Sequence, residues 1–288
     1  MTVLVTGSSG KVGSHLVRLL AARGVAVRAG SRSPEKLTLP EGVESVKLAL
    51  DEPADFPAAL AGVTSVFLYC EAAAIGEFVE QAEQAGVEHV VIMSADAVLR
   101  PDAADNPIAA PHLAVEQALA ASSITSTPLN CGALASNAMP WAWQLKARGT
   151  VGLPYPNSYA DPVNERDVAE AALAVLTDPS LRGRSYHLTG PEALTFTQHI
   201  AAIEAAAGRS IPVTEVPPAV WRANKPDFMP GDIADALLDL WAASSSPVPL
   251  TGDVEKLTGH PARPFTEGRG VRGPVPRLTA TGPARPPP

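Results

Sequence analysis

The run Val3-Leu4-Val5-Thr6-Gly7-Ser8-Ser9-Gly10-Lys11-Val12-Gly13 limits this chain more than any other feature. A short apolar strand enters a G-x-x-G-x-x-G turn, and the turn opens a predicted helix over 12–22 whose apolar residues recur at helical spacing. Each glycine answers a physical need. Gly7 permits the tight turn, Gly10 lets the backbone approach a pyrophosphate, and Gly13 lets the helix pack closely on the strand. The amides from Ser9 through Val12, Lys11 among them, stand at the positive end of that helix and face the phosphates of a dinucleotide. A strand joined to a helix in this way commits the chain to β-α-β units and hence to a parallel sheet.

The rest of the first half agrees. β-branched runs over 2–6, 25–30, 43–48, 65–69, 89–94 and 125–130 read as strands, separated by helical patterns over 12–22, 56–61, 75–85 and 108–121. The fold expected is α/β, a doubly wound parallel sheet of Rossmann type with a small C-terminal substrate lobe. Residues 1–130 form the dinucleotide-binding core, and 131–268 complete the sheet and build the lobe. In that second part a helix begins near Glu165, a strand covers 185–189, Thr195 caps a helix running to Ala207, and 211–216 adds a further strand. Residues 269–288 hold four arginines, six prolines and no acidic residue, a composition expected to stay disordered.

Ligands of such a sheet lie beyond the carboxyl ends of its strands. Leu68 and Tyr69, ending the fourth strand, and Ser94, ending the fifth, are therefore placed against the cofactor. The cofactor type is decided at the end of the second strand, where a carboxylate selects a free ribose and an arginine selects a 2′-phosphate. That strand ends Val27-Arg28-Ala29-Gly30-Ser31-Arg32, with no carboxylate. Arg32, assisted by Ser31, favours NADP(H).

With these residues in view, the chain resembles the NmrA-like, atypical branch of the short-chain dehydrogenase/reductase superfamily, which includes NADPH-dependent quinone reductases and redox-sensing regulators. The resemblance spans about 1–268. It is carried by the N-terminal turn, Val27-Arg28-Ala29-Gly30-Ser31-Arg32, Val90-Val91-Ile92-Met93-Ser94, His112-Leu113-Ala114-Val115-Glu116, Glu165-Arg166-Asp167-Val168-Ala169, Leu188-Thr189-Gly190-Pro191 and Val254-Glu255-Lys256-Leu257-Thr258-Gly259. It implies an NADP(H)-dependent oxidoreductase that reduces a quinone, enone or carbonyl compound by hydride transfer. Two alternatives stay open: a non-catalytic regulator that senses NADP(H), and a redox-neutral cyclase or dehydratase on the same fold.

Typical members of the superfamily use Tyr-x-x-x-Lys on the helix after the fifth strand as a proton-transfer pair. The matching helix here carries His112 and Glu116, spaced so that both share one face and the carboxylate can orient the imidazole. His112 is thus either a proton donor or a structural residue at the helix start. The family pattern Leu-Arg-Pro-Gly after the sixth strand is here Leu129-Asn130-Cys131-Gly132, and Ala49 stands where an adenine-binding aspartate is expected, with Asp51 two residues on. Beyond the sixth strand, Asn137 is placed to bond a substrate carbonyl, while Met139, Trp141 and Tyr155 offer a flat wall for a small aromatic or quinone-like substrate. The resemblance gives Asp167 the role of capping and anchoring a helix.

Charge and cysteine content remove other classes. A formal charge of −8 disfavours nucleic acid as a partner. Cys70 and Cys131 are too few and too far apart for a disulfide framework, and no metal-ligand spacing occurs; both read as buried small hydrophobes. No apolar run reaches the ~18 residues of a membrane span, and no signal peptide is recognised, so a cytoplasmic location is expected. Oligomeric state is left unassigned.

Overall fold

Short β-branched runs form strands and the alanine- and leucine-rich runs between them form helices, each within one residue of its predicted bounds in the first half. The computed structural model describes residues 1–208 and 210–267, so the segment 269–288 lies outside the described residues. In chain order the first half comprises β1 (Thr2–Val5), α1 (Gly13–Ala22), β2 (Ala26–Ser31), β3 (Glu44–Lys47), α2 (Phe56–Leu60), β4 (Ser65–Tyr69), α3 (Ile75–Gln84), β5 (His89–Ala95), α4 (Ala109–Ala120) and β6 (Thr125–Cys131). The second half adds α5 (Met139–Arg148), β7 (Val151–Leu153), β8 (Tyr159–Ala160), α6 (Glu165–Thr177), β9 (Tyr186–Leu188), β10 (Leu194–Thr195) and α7 (Phe196–Ala207). It ends with β11 (Val213–Glu215), α8 (Pro218–Ala223), α9 (Gly231–Ala243) and α10 (Asp253–Thr258).

The main sheet has seven strands in the order β3-β2-β1-β4-β5-β6-β9, every pair parallel. Strand order reverses between β1 and β4, which opens a crevice at their carboxyl ends. Both faces are covered, as a parallel sheet requires. Leu16 and Leu20 of α1 pack with Val168 and Val175 of α6 on one face, and Phe56, Phe78 and Leu119 cover the other. A third core, with Leu145, Phe196, Ile200 and Phe265, fills the lobe.

Two expectations need correction. Of the strands predicted in the second half, only β9 joins the main sheet; β11 pairs with β7 in a separate ribbon. Val213, Thr214 and Glu215 are all exposed, and a strand without a buried face cannot sit inside a sheet covered on both sides. The second correction concerns α6. Its cap is Asn164, whose Oδ1 accepts from the Arg166 amide at 2.9 Å, not Asp167. Asp167 is instead fully buried and anchors the C-terminal segment by accepting from the Arg263 amide at 2.7 Å and from the Arg263 guanidinium. Glu170 and His260 join this ion-pair cluster, and the Arg263 guanidinium occupies its acidic centre. Among the described residues, no helix is long and apolar enough to cross a membrane.

Candidate functional site: the crevice at the carboxyl ends of the strands

The glycine-rich turn closes tightly because its glycines leave no room for side chains. Gly7 has φ +59°, and a Cβ on Gly13 would sit 2.4 Å from the Gly7 carbonyl oxygen. A Cβ on Gly10 would meet the same oxygen at 3.0 Å. Thr6 Oγ1 accepts from the Tyr69 amide at 2.7 Å and ties the end of β1 to the end of β4 across the crevice. Gly10 donates its amide to Gly7 and therefore supplies space, not a donor. Among the described residues the amides of Ser9, Lys11 and Val12 have no acceptor, and α1 has neither a side-chain cap nor an acidic residue in its first turn. Unpaired donors at an uncompensated helix N-terminus, beside a backbone cradle, fit the pyrophosphate of a dinucleotide.

At the end of β2 the two arginines separate. Arg28 is spent on structure, donating to Glu44 at 3.1 Å and to the carbonyls of Ala59 and Ala61. Arg32 is exposed at the rim. Ser31 is buried and its Oγ accepts from the Ser33 amide at 3.2 Å, which shapes the turn presenting Arg32. Beyond β3 the Ala49 amide is taken by Asp55 at 3.0 Å, and Asp51 is exposed.

Farther along the crevice the expected residues divide. Leu68 is 1% exposed and belongs to the core, so its side chain cannot touch a ligand, whereas Tyr69 is 54% exposed and overhangs Gly7. Ser94 is buried and donates to Glu116 Oε1 at 2.5 Å. This bond replaces the expected pairing of Glu116 with His112: the Ser94 hydroxyl already occupies the carboxylate. His112 Nδ1 is buried without a partner, and burial holds its imidazole below the ordinary value, so it is neutral at pH 7. Burial also raises the Glu116 carboxyl, against the Ser94 hydrogen bond. Asn137 is exposed in the turn before α5. Trp141 does not form an open wall; its ring packs edge-on against Phe196 at 5.7 Å, inside the lobe core. Met139 and Tyr155 are half-buried. Cys131 is buried as expected, but Cys70 is only half-buried.

The structure also assembles a polar cluster that no sequence pattern marks. Asp96 follows β5, Asp161 precedes α6, and both reach the residue after β6. A Cβ on Gly132 would lie 3.0 Å from Asp161 Oδ1 and 3.4 Å from Asp96 Oδ2. His187 Nε2 is 4.0 Å from Asp96 Oδ2. Burial first, and then the charge of Asp96, push the Asp161 carboxyl up to about 7. These residues come from separate elements, each polar position flanked by ordinary loop or strand sequence, so only the fold brings them together.

An NAD(P)H-binding family model matches residues 7–179. A Streptomyces griseus (4-alkanoyl-5-oxo-2,5-dihydrofuran-3-yl)methyl phosphate reductase is 35% identical over 274 residues, covering 92% of this chain and 95% of its own. An NAD(P)H azoreductase of Xenophilus azovorans is 31% identical over 280 residues, covering 92% and 96%. Among solved structures, the Escherichia coli NADPH-dependent quinone oxidoreductase in complex with NADPH superposes with a TM-score of 0.77 at 23% identity, covering 92% and 97%. The transcriptional regulator NmrA superposes at 0.74 with 23% identity, covering 92% and 93%, so the expected NmrA-like fold is borne out.

Proposed function

The chain belongs to the NAD(P)H-binding family, and on that premise we propose that it is an NADPH-dependent reductase of a small, electron-poor conjugated acceptor: a quinone, enone or carbonyl compound. One observation carries this reading: two relatives above 30% identity, aligned along nearly the whole chain, are both named reductases. Their named substrates share a chemistry. The dihydrofuranone of the Streptomyces griseus enzyme is a conjugated carbonyl, and an azo bond is likewise a π system that accepts hydride.

The residues divide the work as follows. Gly7, Gly10 and Gly13 clear the backbone cradle, and the amides of Ser9, Lys11 and Val12 hold the pyrophosphate. Arg32, presented by Ser31, pairs with the 2′-phosphate and selects NADPH. Tyr69 and the neighbouring crevice wall position the dinucleotide over β4, with Leu68 and Ser94 supporting that wall from within. The bound cofactor supplies hydride. Asn137 is placed to bond the acceptor oxygen, and His112, a neutral imidazole near the start of α4, lines the approach. The reaction proceeds without a Tyr-x-x-x-Lys pair, because a quinone takes its protons from water. Parallel titrations with NADPH and NADH, followed by a screen of quinone, enone and carbonyl acceptors, test the reading. Turnover of an acceptor with NADPH is expected. Binding without turnover would favour a sensor, and conversion of a substrate without cofactor would favour a redox-neutral enzyme.

A further inference from the structure

The cluster around Gly132 has no role in the reading above. A dinucleotide whose adenosine ribose lies past β2 has its nicotinamide half over β4 to β6, where Asp96, Gly132 and Asp161 meet. Three features of that place indicate a reacting group. First, glycine at 132 lets both carboxylates pack directly against the backbone, since a Cβ there would meet Asp161 Oδ1 at 3.0 Å and Asp96 Oδ2 at 3.4 Å. Second, Asn130 is 1% exposed, yet its Oδ1 has no hydrogen-bond partner among the described residues. It stands on β6 two residues before Gly132, in register with His187 of β9, and its Nδ2 donates to Ser185 Oγ at 3.2 Å while Oδ1 is left over. Third, His187 Nε2 is also buried and unpartnered, directed toward Asp96 at 4.0 Å. Buried polar atoms are normally paired, so an orphaned acceptor and an orphaned ring nitrogen on the strands beside this carboxylate pair mark where a ligand supplies the missing partner.

We propose that Asp161, with Asp96 as its partner, is the catalytic acid of this crevice and donates the proton that completes reduction of a carbonyl or enone acceptor. The proposal rests on the reductase reading above. In the step, the acceptor carbon gains hydride with its electron pair from the reduced nicotinamide, which is oxidised by two electrons. The acceptor π pair shifts onto oxygen as a bond forms from that oxygen to the Asp161 proton. The Asp161 O–H bond breaks and leaves the carboxylate, and water restores the proton through Asp96, whose side chain is 45% exposed. The groups that set the titration are all identifiable. Asp161 faces Asp96; Asp96 in turn faces His187 and Arg100. The Cys131 thiol beside both is pushed far up by burial and by the two carboxylates, so it stays protonated and does not compete. Burial together with Asp96 lets Asp161 still carry its proton near neutrality, as an acid at pH 7 must. His112, neutral and without a charged partner, has no comparable means of holding a transferable proton.

The test uses the full chain as wild type, Asp161→Asn and Asp96→Asn, with a carbonyl or enone acceptor and a quinone drawn from the screen. Wild-type kcat for the carbonyl or enone is expected to fall as pH rises through about 7, where Asp161 loses its proton. Asp161→Asn should lower that kcat by about a hundredfold and flatten the profile, since general acids contribute ~10²–10⁴-fold. Asp96→Asn should move the fall to lower pH. In both variants quinone reduction should fall less than carbonyl or enone reduction, and the NADPH dissociation constant should change little. Carbon-13 carboxyl NMR gives a second readout without turnover: Asp161 should titrate near 7 in the wild type and lower in Asp96→Asn. If the wild type reduces acceptors while Asp161→Asn keeps both rate and pH profile, or if Asp161 titrates as an ordinary carboxylate, the proposal falls and the reductase reading stands. If the wild type reduces no acceptor, both fall.

Discussion

The sheet of the first half and the lobe of the second are assembled by different physics. From Thr2 to Cys131 the elements follow local periodicity, and the cores on the two faces of the sheet are mostly aliphatic, with one edge-on aromatic pair, Phe56 and Phe78, at 5.3 Å. The lobe is held by aromatic contacts between distant segments. Trp141 meets Phe196 at 5.7 Å, Phe196 meets Trp241 at 5.4 Å, Trp221 meets Trp241 at 4.9 Å, and His199 meets Phe265 at 4.7 Å. The difference separates two tasks. On the proposed reading, the cofactor is held by the part whose geometry local sequence dictates, while the lobe on the acceptor side is built from contacts that can be repacked without disturbing the cradle.

The tether between the two regions offers the strongest way to break that division. Arg263 bonds the buried Asp167 of α6, and the residues just after it carry Phe265 into the lobe core. Arg263→Ala leaves the buried Asp167 carboxylate with the residue 263 amide but without its ion pair, a change that costs ~3–5 kcal/mol. All four tryptophans, Trp141, Trp143, Trp221 and Trp241, lie in the lobe, so their fluorescence reports the lobe alone. In this variant the fluorescence transition is expected to precede the far-UV circular dichroism transition on heating. Coincident transitions would mean that the two regions unfold as one.

On the cofactor side, Arg32→Ala should weaken NADPH binding by ten- to a hundredfold, the worth of a charge-assisted bond of about 1.5–3 kcal/mol, and leave NADH unaffected. Equal affinity for NADPH and NADH in the wild type would remove Arg32 from the site. A stability loss of about 1–3 kcal/mol is expected from Gly13→Ala, whose Cβ meets backbone and not a yielding side chain. Dichroism and NADPH affinity should both register it, with the tryptophan transition little changed.

The smallest expected effect is a pH dependence of the lobe. His199 is buried, and burial pushes its imidazole down to about 4. Below its ordinary value of 6.5 the unfolded chain binds a proton that the folded chain refuses until about 4, so stability is lost as pH falls through that window. At pH 5.5 the loss is about 1 kcal/mol. His199→Gln should flatten this slope when unfolding is followed at several pH values. The variant isolates the lobe term from His89, which burial also pushes down to about 4, and from Asp161, whose raised value acts in the opposite direction. An unchanged slope would show that His199 is not neutral in the folded lobe.

How much of this was legible in the chain follows the same division. The strand-turn-helix of 3–22, the parallel sheet and the free arginine at its second strand were readable, because their signals lie within a few residues: periodicity, three glycines and a missing carboxylate. Arg28 and Arg32 look alike in sequence, yet only the fold shows Arg28 consumed by Glu44 and the carbonyls of Ala59 and Ala61. His112 and Glu116 share a helical face, but Ser94, from a different strand, takes the carboxylate. Asp96, Gly132, Asp161 and His187 have no local pattern at all. Local sequence determines φ/ψ, periodicity and turns, and through them the cofactor cradle; which side chains then face one another across the crevice depends on strand order and register, and those are decided only when distant segments pack.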